Sequence, residues 1–196
     1  MRIMISEFIS LDGVVQAPGG PDEDTEGGFQ HGGWSMPFFD PEVMGASVGE
    51  VAERTGALLF GRRTWAVMAA AWPGRAGDPF ADWMNSVEKH VVSDTLSEAD
   101  LSWAPTSLIR GADLVTAVEA MRARSGKDVN VMGSARLART LLEADLVDEL
   151  NLMIEPVVLG GGKGIFPSDG IARRFELASS STAKTGVLVC RYCRAN

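Results

Sequence analysis

The sequence predicts a three-layer αβα domain, class α/β, built on a mixed sheet. Three observations carry this. Short apolar, β-branched runs alternate with helical runs along most of the chain, which is the pattern of parallel strands joined by right-handed crossovers. Two strands stop at a glycine and pass straight into a helix, in FGRRTW at Gly61 and in VMGSAR at Gly133. Near the C-terminus, Lys184-Thr185-Gly186 separates two strand-like runs, which predicts an antiparallel hairpin. The chain has 196 residues, 45% hydrophobic and 22% charged, which fits a single domain over 1–196 with a real core.

Taken in order, RIMISEFI predicts a first, central strand over Met1 to Phe8, and SLDG a turn after it. Residues 16–42 are rich in glycine, proline and acid but also hold Phe29, Trp34, Phe38 and Phe39. A structureless linker would not carry that many aromatics, so this long loop is read as a lid folded over something; a surface insertion is the other reading. Asp40 as cap, Pro41 at the first helical position and Gly56 at the C-terminal end frame a helix. A buried strand over Ala57 to Gly61 and a short helix near Arg63 to Ala70 follow. Lys89 to Ser93 and TSLIRG read as strands. Leu114, Val118 and Met121 recur at helical spacing. DVNVM is a strand. Ser134 is a natural N-cap for a helix whose buried stripe is Leu137, Leu141 and Leu142. VDELNLMIEPVVLGGGKGIF reads as a long strand ending in glycines, with Pro156 at a bulge or edge position.

Composition excludes some functions. The net charge is −8, against the basic balance of a nucleic-acid binder. The N-terminus is too short and too polar for a signal peptide or a membrane span, so a soluble, cytoplasmic protein with no membrane partner is expected. Cys190 and Cys193 form a lone C-x-x-C with no second pair, so they read as structural thiols and no metal site is expected.

Open α/β sheets bind ligands outside the carboxyl ends of their strands. Two turns there have suitable chemistry. Gly133-Ser134-Ala135 opens a helix whose free N–H groups suit a pyrophosphate, and Gly61-Arg62-Arg63-Thr64 adds two cations that suit a phosphate monoester such as an adenosine 2′-phosphate. LGGGKG, Leu159 to Gly164, is no P-loop, because Gly164 stands where Ser or Thr is needed. It is a mobile turn or a flat ligand wall.

These pieces resemble the dihydrofolate-reductase-like family. The nearest branch is the riboflavin-biosynthesis reductase, the C-terminal domain of the bacterial bifunctional deaminase-reductase. The resemblance rests on ISLDGVV, GGW, LLFGRRTW, KHVVSDTL, VNVMGSARLARTLLEADLVDEL and IEPVVLGGGKGIF, in order over nearly the whole chain. It implies a dihydrofolate-reductase-like mixed sheet with NADPH across its carboxyl edge. Gly61, Arg62, Arg63 and Thr64 would hold the adenosine phosphates, Ser93 and Asp94 would lie near the adenosine half, and Gly133, Ser134, Ala135 and Arg136 would cradle the pyrophosphate. No cytidine-deaminase-like zinc motif precedes the domain.

The resemblance implies an NADPH-dependent oxidoreductase acting on a small heterocycle, most like 5-amino-6-(5-phosphoribosylamino)uracil. A pteridine or dihydrofolate-type reductase and a non-catalytic nucleotide-binding module are the alternatives. Asp12 is either the catalytic group beside the nicotinamide or a turn former. Glu155 either faces the same pocket as a second catalytic carboxyl or is a solvated strand residue. Trp34 either stacks on the substrate ring or packs the loop. Gly160 and Gly161 would wall the substrate. His31 is expected to be exposed, and Asp40 and Glu42 to cap the helix. The resemblance also implies a homodimer.

Overall fold

A computed structural model of the chain describes residues 1–75 and 77–195. Eight strands form one sheet in the order β4-β3-β2-β5-β1-β6-β8-β7. They are β1 (Ile3–Ser10), β2 (Thr55–Gly61), β3 (Glu88–Val92), β4 (Thr106–Ile109), β5 (Asp128–Met132), β6 (Glu149–Glu155), β7 (Phe175–Thr182) and β8 (Leu188–Arg194). The first six pair in parallel, and β8 and β7 add to β6 as the expected antiparallel hairpin.

The helices are α1 (Val43–Arg54), α2 (Arg62–Ala71), α3 (Pro79–Ser86), α4 (Leu114–Arg122) and α5 (Ala135–Glu143). The chain runs leftward from β1 through β2 and β3 to β4, then returns to β5 and on to β6. Right-handed crossovers therefore put the outbound helices on one face and the returning ones on the other. The packing agrees. Alternate residues of β2 split between the two faces, Ala57 and Leu59 joining Leu114, Val118, Leu137 and Leu141, while Leu58 and Phe60 join Trp65 and Met84. The three-layer architecture and the mixed sheet match expectation.

Helix α3 was not expected from the sequence. Its signals were present: Asp78 accepts hydrogen bonds from the N–H groups of Phe80 and Ala81 at 2.8 and 3.1 Å, and Pro79 opens the helix. Its other end is closed by Lys89, read from sequence only as a strand residue. Lys89 is fully buried, and its Nζ donates to the carbonyls of Met84, Asn85 and Val87 at 3.0, 3.3 and 2.6 Å. It also lies 4.5 Å from the centre of the Trp103 ring. Burial pulls the ammonium down to about 8. Two further boundaries differ. Gly56 is not a helix cap but the second residue of β2, where an added Cβ would stand 2.9 Å from Lys127 Cβ. Strand β6 stops at Glu155, so Pro156 ends it rather than bulging it. Asp40 caps as expected, accepting from the N–H groups of Glu42 and Val43.

The amino edge of the sheet is held by ions. Arg54, the last residue of α1, donates to both oxygens of the fully buried Glu149 at 2.5 and 3.2 Å. Arg2 pairs with Glu149 at 3.1 Å and with Asp128 at 2.9 Å. Burial pushes the Glu149 carboxyl up, but Arg54 and Arg2 outweigh it and leave it below its ordinary value. Removing one partner of a buried pair leaves an uncompensated charge. Arg54→Ala should therefore cost roughly 3 kcal/mol in urea unfolding. The double change Arg54→Met with Glu149→Leu should recover much of that loss.

Candidate functional site at the carboxyl edge

The two glycine turns meet. The Gly61 N–H donates to Ser134 Oγ at 2.9 Å, and Thr64 Oγ1 donates to the Gly133 carbonyl at 2.9 Å. Ser134 thus stands at the N-cap position of α5 but spends its hydroxyl on the neighbouring turn. Gly133 has φ 66°, and an added Cβ would lie 3.0 Å from Thr64 Cγ2, so both conformation and contact demand glycine. Strand β5 sends α5 to one face while its neighbour β2 sends α2 to the other. The joined turns therefore sit at the topological switch point, where two helix N-termini converge. Arg62, Arg63 and Arg136 are exposed beside them, and Ala135 is half-buried. Ser93 immediately follows the next strand along, β3. Its Oγ accepts from the N–H groups of Thr95 and Leu96, and Asp94 accepts from the Gly111 N–H, so both stiffen the turn after β3.

Two carboxyls flank this edge from inside. Glu155 is fully buried on the α1 face. Its Oε1 accepts from Ser35 Oγ at 2.6 Å, while Oε2 has no partner among the described residues. Burial raises it to about 7, against the lowering effect of Ser35. The solvated-strand reading of Glu155 does not hold. Glu7 lies on the opposite face, 5% exposed, with Oε1 unpartnered. Burial raises it to about 8, opposed by the backbone N–H groups of Gly133 and Ser134. Sequence reasoning missed Glu7, although a lone acid inside an apolar strand was the available signal.

Asp12 is a clamp. It is exposed, accepts a hydrogen bond from the Ser10 hydroxyl at 2.6 Å, and accepts from the N–H groups of Leu159 and Gly160 at 3.1 and 2.8 Å. The Ser10 hydrogen bond first, then the two backbone bonds, hold it at about 2. A carboxylate held that low stays charged at neutral pH and is a poor proton donor. The turn-forming reading of Asp12 is the one the geometry favours.

The 16–42 loop is folded, not loose. Gln16, which sequence reasoning passed over, is its staple. The Gln16 amide donates to the carbonyls of Asp24 and Glu26, its Oε1 accepts the Lys163 N–H, and its own carbonyl accepts from Trp34 Nε1 at 2.7 Å. Trp34 is 7% exposed and so packs the loop; it offers no open face for a ring to stack on. Gly160 and Gly161 are exposed with open space around them. The glycine demanded by close contact is Gly162, with φ 135°, where a Cβ would meet Val14 Cγ1 at 2.6 Å. His31 is exposed, as expected.

The loop is tied across the edge it covers. Glu26 pairs with Arg63 and with Lys163, and Asp24 also pairs with Lys163. Cavities of about 420 and 280 Å³ lie elsewhere, one beside the end of α5 at Arg173 and Arg174, the other under α1 at Ser47 and Asn151. Among the described residues, no cluster of three or more His, Cys, Asp or Glu side chains could hold a metal ion, and no helix is long and apolar enough to cross a membrane. Cys190 and Cys193 are free thiols.

Comparison with known proteins agrees with this architecture. YyaP of Bacillus subtilis (strain 168), an uncharacterized protein, is 26% identical, with 97% of this chain and 94% of that protein covered. Among solved structures, a candidate riboflavin biosynthesis protein from Shewanella sp. PV-4 superposes with a TM-score of 0.73 at 19% identity, covering all of both chains. A pyrimidine reductase-like protein from Corynebacterium diphtheriae gives 0.68 at 15% identity, with 100% of this chain and 92% of that one covered. The diaminohydroxyphosphoribosylaminopyrimidine deaminase/5-amino-6-(5-phosphoribosylamino)uracil reductase of Thermotoga maritima gives 0.64 at 11% identity, and there this chain spans 56% of the longer enzyme. The profile of the RibD C-terminal domain matches residues 2–189. The chain belongs to the RibD C-terminal domain family.

Proposed function

We propose that the protein is an NADPH-dependent reductase of a small heterocyclic compound, with 5-amino-6-(5-phosphoribosylamino)uracil as the nearest substrate type. The observation that carries this reading is the hydrogen-bonded pair of turns at the switch point, with Arg62 and Arg63 on one and the start of α5 on the other. The residues fit the cofactor. The free N–H groups of α2 and α5 suit phosphates, and the guanidinium groups suit a 2′-phosphate. Family membership and the reductase activity named for the Thermotoga enzyme lend support.

Bound NADPH would supply a hydride. The chain's own task is to bind, to exclude water and to hold a proton. The stapled loop covers the edge, and the buried Glu155 has one oxygen on Ser35 and one free. Held at about 7, it keeps a proton part of the time at neutral pH, as a general acid requires. The homodimer remains part of the proposal. Strand β7 is one edge of the sheet, and Leu177 on it and Leu188 on the neighbouring β8 are 55% and 44% exposed.

Three outcomes are expected. Replacing both Arg62 and Arg63 by Ala should weaken NADPH by about 100- to 10,000-fold and NADH only a few-fold, since charge-assisted contacts contribute about 1.5–3 kcal/mol each. Equal losses in titration calorimetry would count against the placement of the phosphate. For Glu155 the sign is that of a raised carboxyl: protonated below its pKa, ionised above it. With substrate, kcat/KM should fall as pH rises through about 7. Glu155→Gln should remove that limb and lower turnover about 100-fold; an unchanged profile assigns the proton elsewhere. Light scattering should report a dimer at micromolar concentration, and a monomer there removes that part of the proposal.

A further inference from the structure

The covering loop carries four acids in five residues, Asp22, Glu23, Asp24 and Glu26, and two of them are used on cations of distant segments. One oxygen, Glu26 Oε2, is shared. Arg63 Nη1 reaches it from the start of α2, and Lys163 Nζ reaches it at 2.6 Å from the segment after β6. The Arg63 hydrogen bond first, then that of Lys163, hold this carboxylate at about 2. Lys163 has a fixed backbone: its N–H donates to Gln16 Oε1 at 3.1 Å and its carbonyl accepts from the Val15 N–H at 2.8 Å. The two cations thus come from two distant segments and meet at one oxygen.

We propose that Arg63 and Lys163 form one anion site, that its ligand is a phosphate monoester, and that Glu26 is the carboxylate that stands in for that ligand until it binds. Converging cations on a single oxygen suit phosphate, which offers three acceptor oxygens and about −1.5 to −2 charge at pH 7, against −1 on a carboxylate. Charge thus favours exchange, and Glu26, half-exposed, has solvent to move into. Lys163 becomes a binding residue, and Glu26 a competitor that sets apparent affinity. The inference rests on the reductase reading only for which molecule brings the phosphate. The 2′-phosphate of NADPH is one source, and the phosphate of a phosphoribosylated substrate is the other.

The test is calorimetry on the full chain and on Glu26→Gln and Lys163→Gln, with NADPH, NADH and ribose 5-phosphate as probes. Both positions are partly exposed, so the variants should keep the fold. Glu26→Gln should tighten a phosphate monoester about fivefold and Lys163→Gln should weaken it about tenfold, with NADH moving less than about twofold. A response with NADPH names the cofactor as the source. A response with ribose 5-phosphate alone names the substrate. NADPH bound by the parent and unmoved by either variant, with ribose 5-phosphate also unmoved, overturns the site and leaves the reductase reading standing. Failure of NADPH to bind, with Lys163-dependent binding of ribose 5-phosphate, overturns the cofactor assignment and keeps the site. Weaker phosphate binding by Glu26→Gln, or none to the parent and none to Glu26→Gln, overturns the site.

Discussion

The buried Glu149 carboxylate constrains the rest of the structure. A parallel sheet has no tight hairpins to set its register, so something else must fix where each strand starts. Here Glu149 opens β6, Asp128 opens β5, Arg2 immediately precedes β1, and Arg54 immediately precedes β2. Four chain segments therefore begin at one ionic cluster. A slip of one residue would turn every core side chain to the wrong face and also strand a charge without a partner. The ions add little net stability by themselves, since desolvation takes back most of the attraction. Their effect is to make the wrong registers expensive. The positions of Gly61 and Gly133 at the far ends of β2 and β5 follow from that choice.

The two edges of the sheet treat buried acid in opposite ways. At the amino edge, Glu149 is matched by two guanidinium groups and lies below its ordinary pKa. At the carboxyl edge, Glu7 and Glu155 are buried with an unpartnered oxygen each, and both are raised. Unpaired buried carboxyls are costly, and in folded proteins they gather where a proton or a ligand is handled. The same edge also carries the exposed arginines and the stapled loop. The asymmetry separates an edge of paired charge from an edge of unpaired buried acid.

Much of the architecture was legible in the sequence. The alternation of strand and helix gave the layers, and glycine followed by a helix start marked both turns that meet at the switch point. Chemistry within a few residues was harder. Asp-Gly at Asp12 is compatible with a turn and with a catalytic acid, and only the hydrogen bonds to Leu159 and Gly160 separate them. Trp34 in a glycine-rich stretch looks like an exposed platform until its indole N–H is seen bonded to Gln16. Helix α3 hid because PFADWMNS is one short amphipathic run, and its closing lysine comes from the strand that follows. The contacts of Glu26 with Arg63 and Lys163 join three distant segments, and no local pattern encodes them.

The amino-edge cluster also gathers the chain's two ends. The Met1 ammonium donates to the carbonyls of Arg122 and Arg124. Asp148 accepts from the Ile3 N–H through its side chain and from the Arg194 N–H through its carbonyl. Ile3 and Arg194 thus meet beside one aspartate, at the rim away from the glycine turns. A segment attached at Met1 would therefore hang from that rim and leave the glycine turns uncovered. For the same reason the ends could be joined and the chain reopened elsewhere without touching the rim that carries the glycine turns.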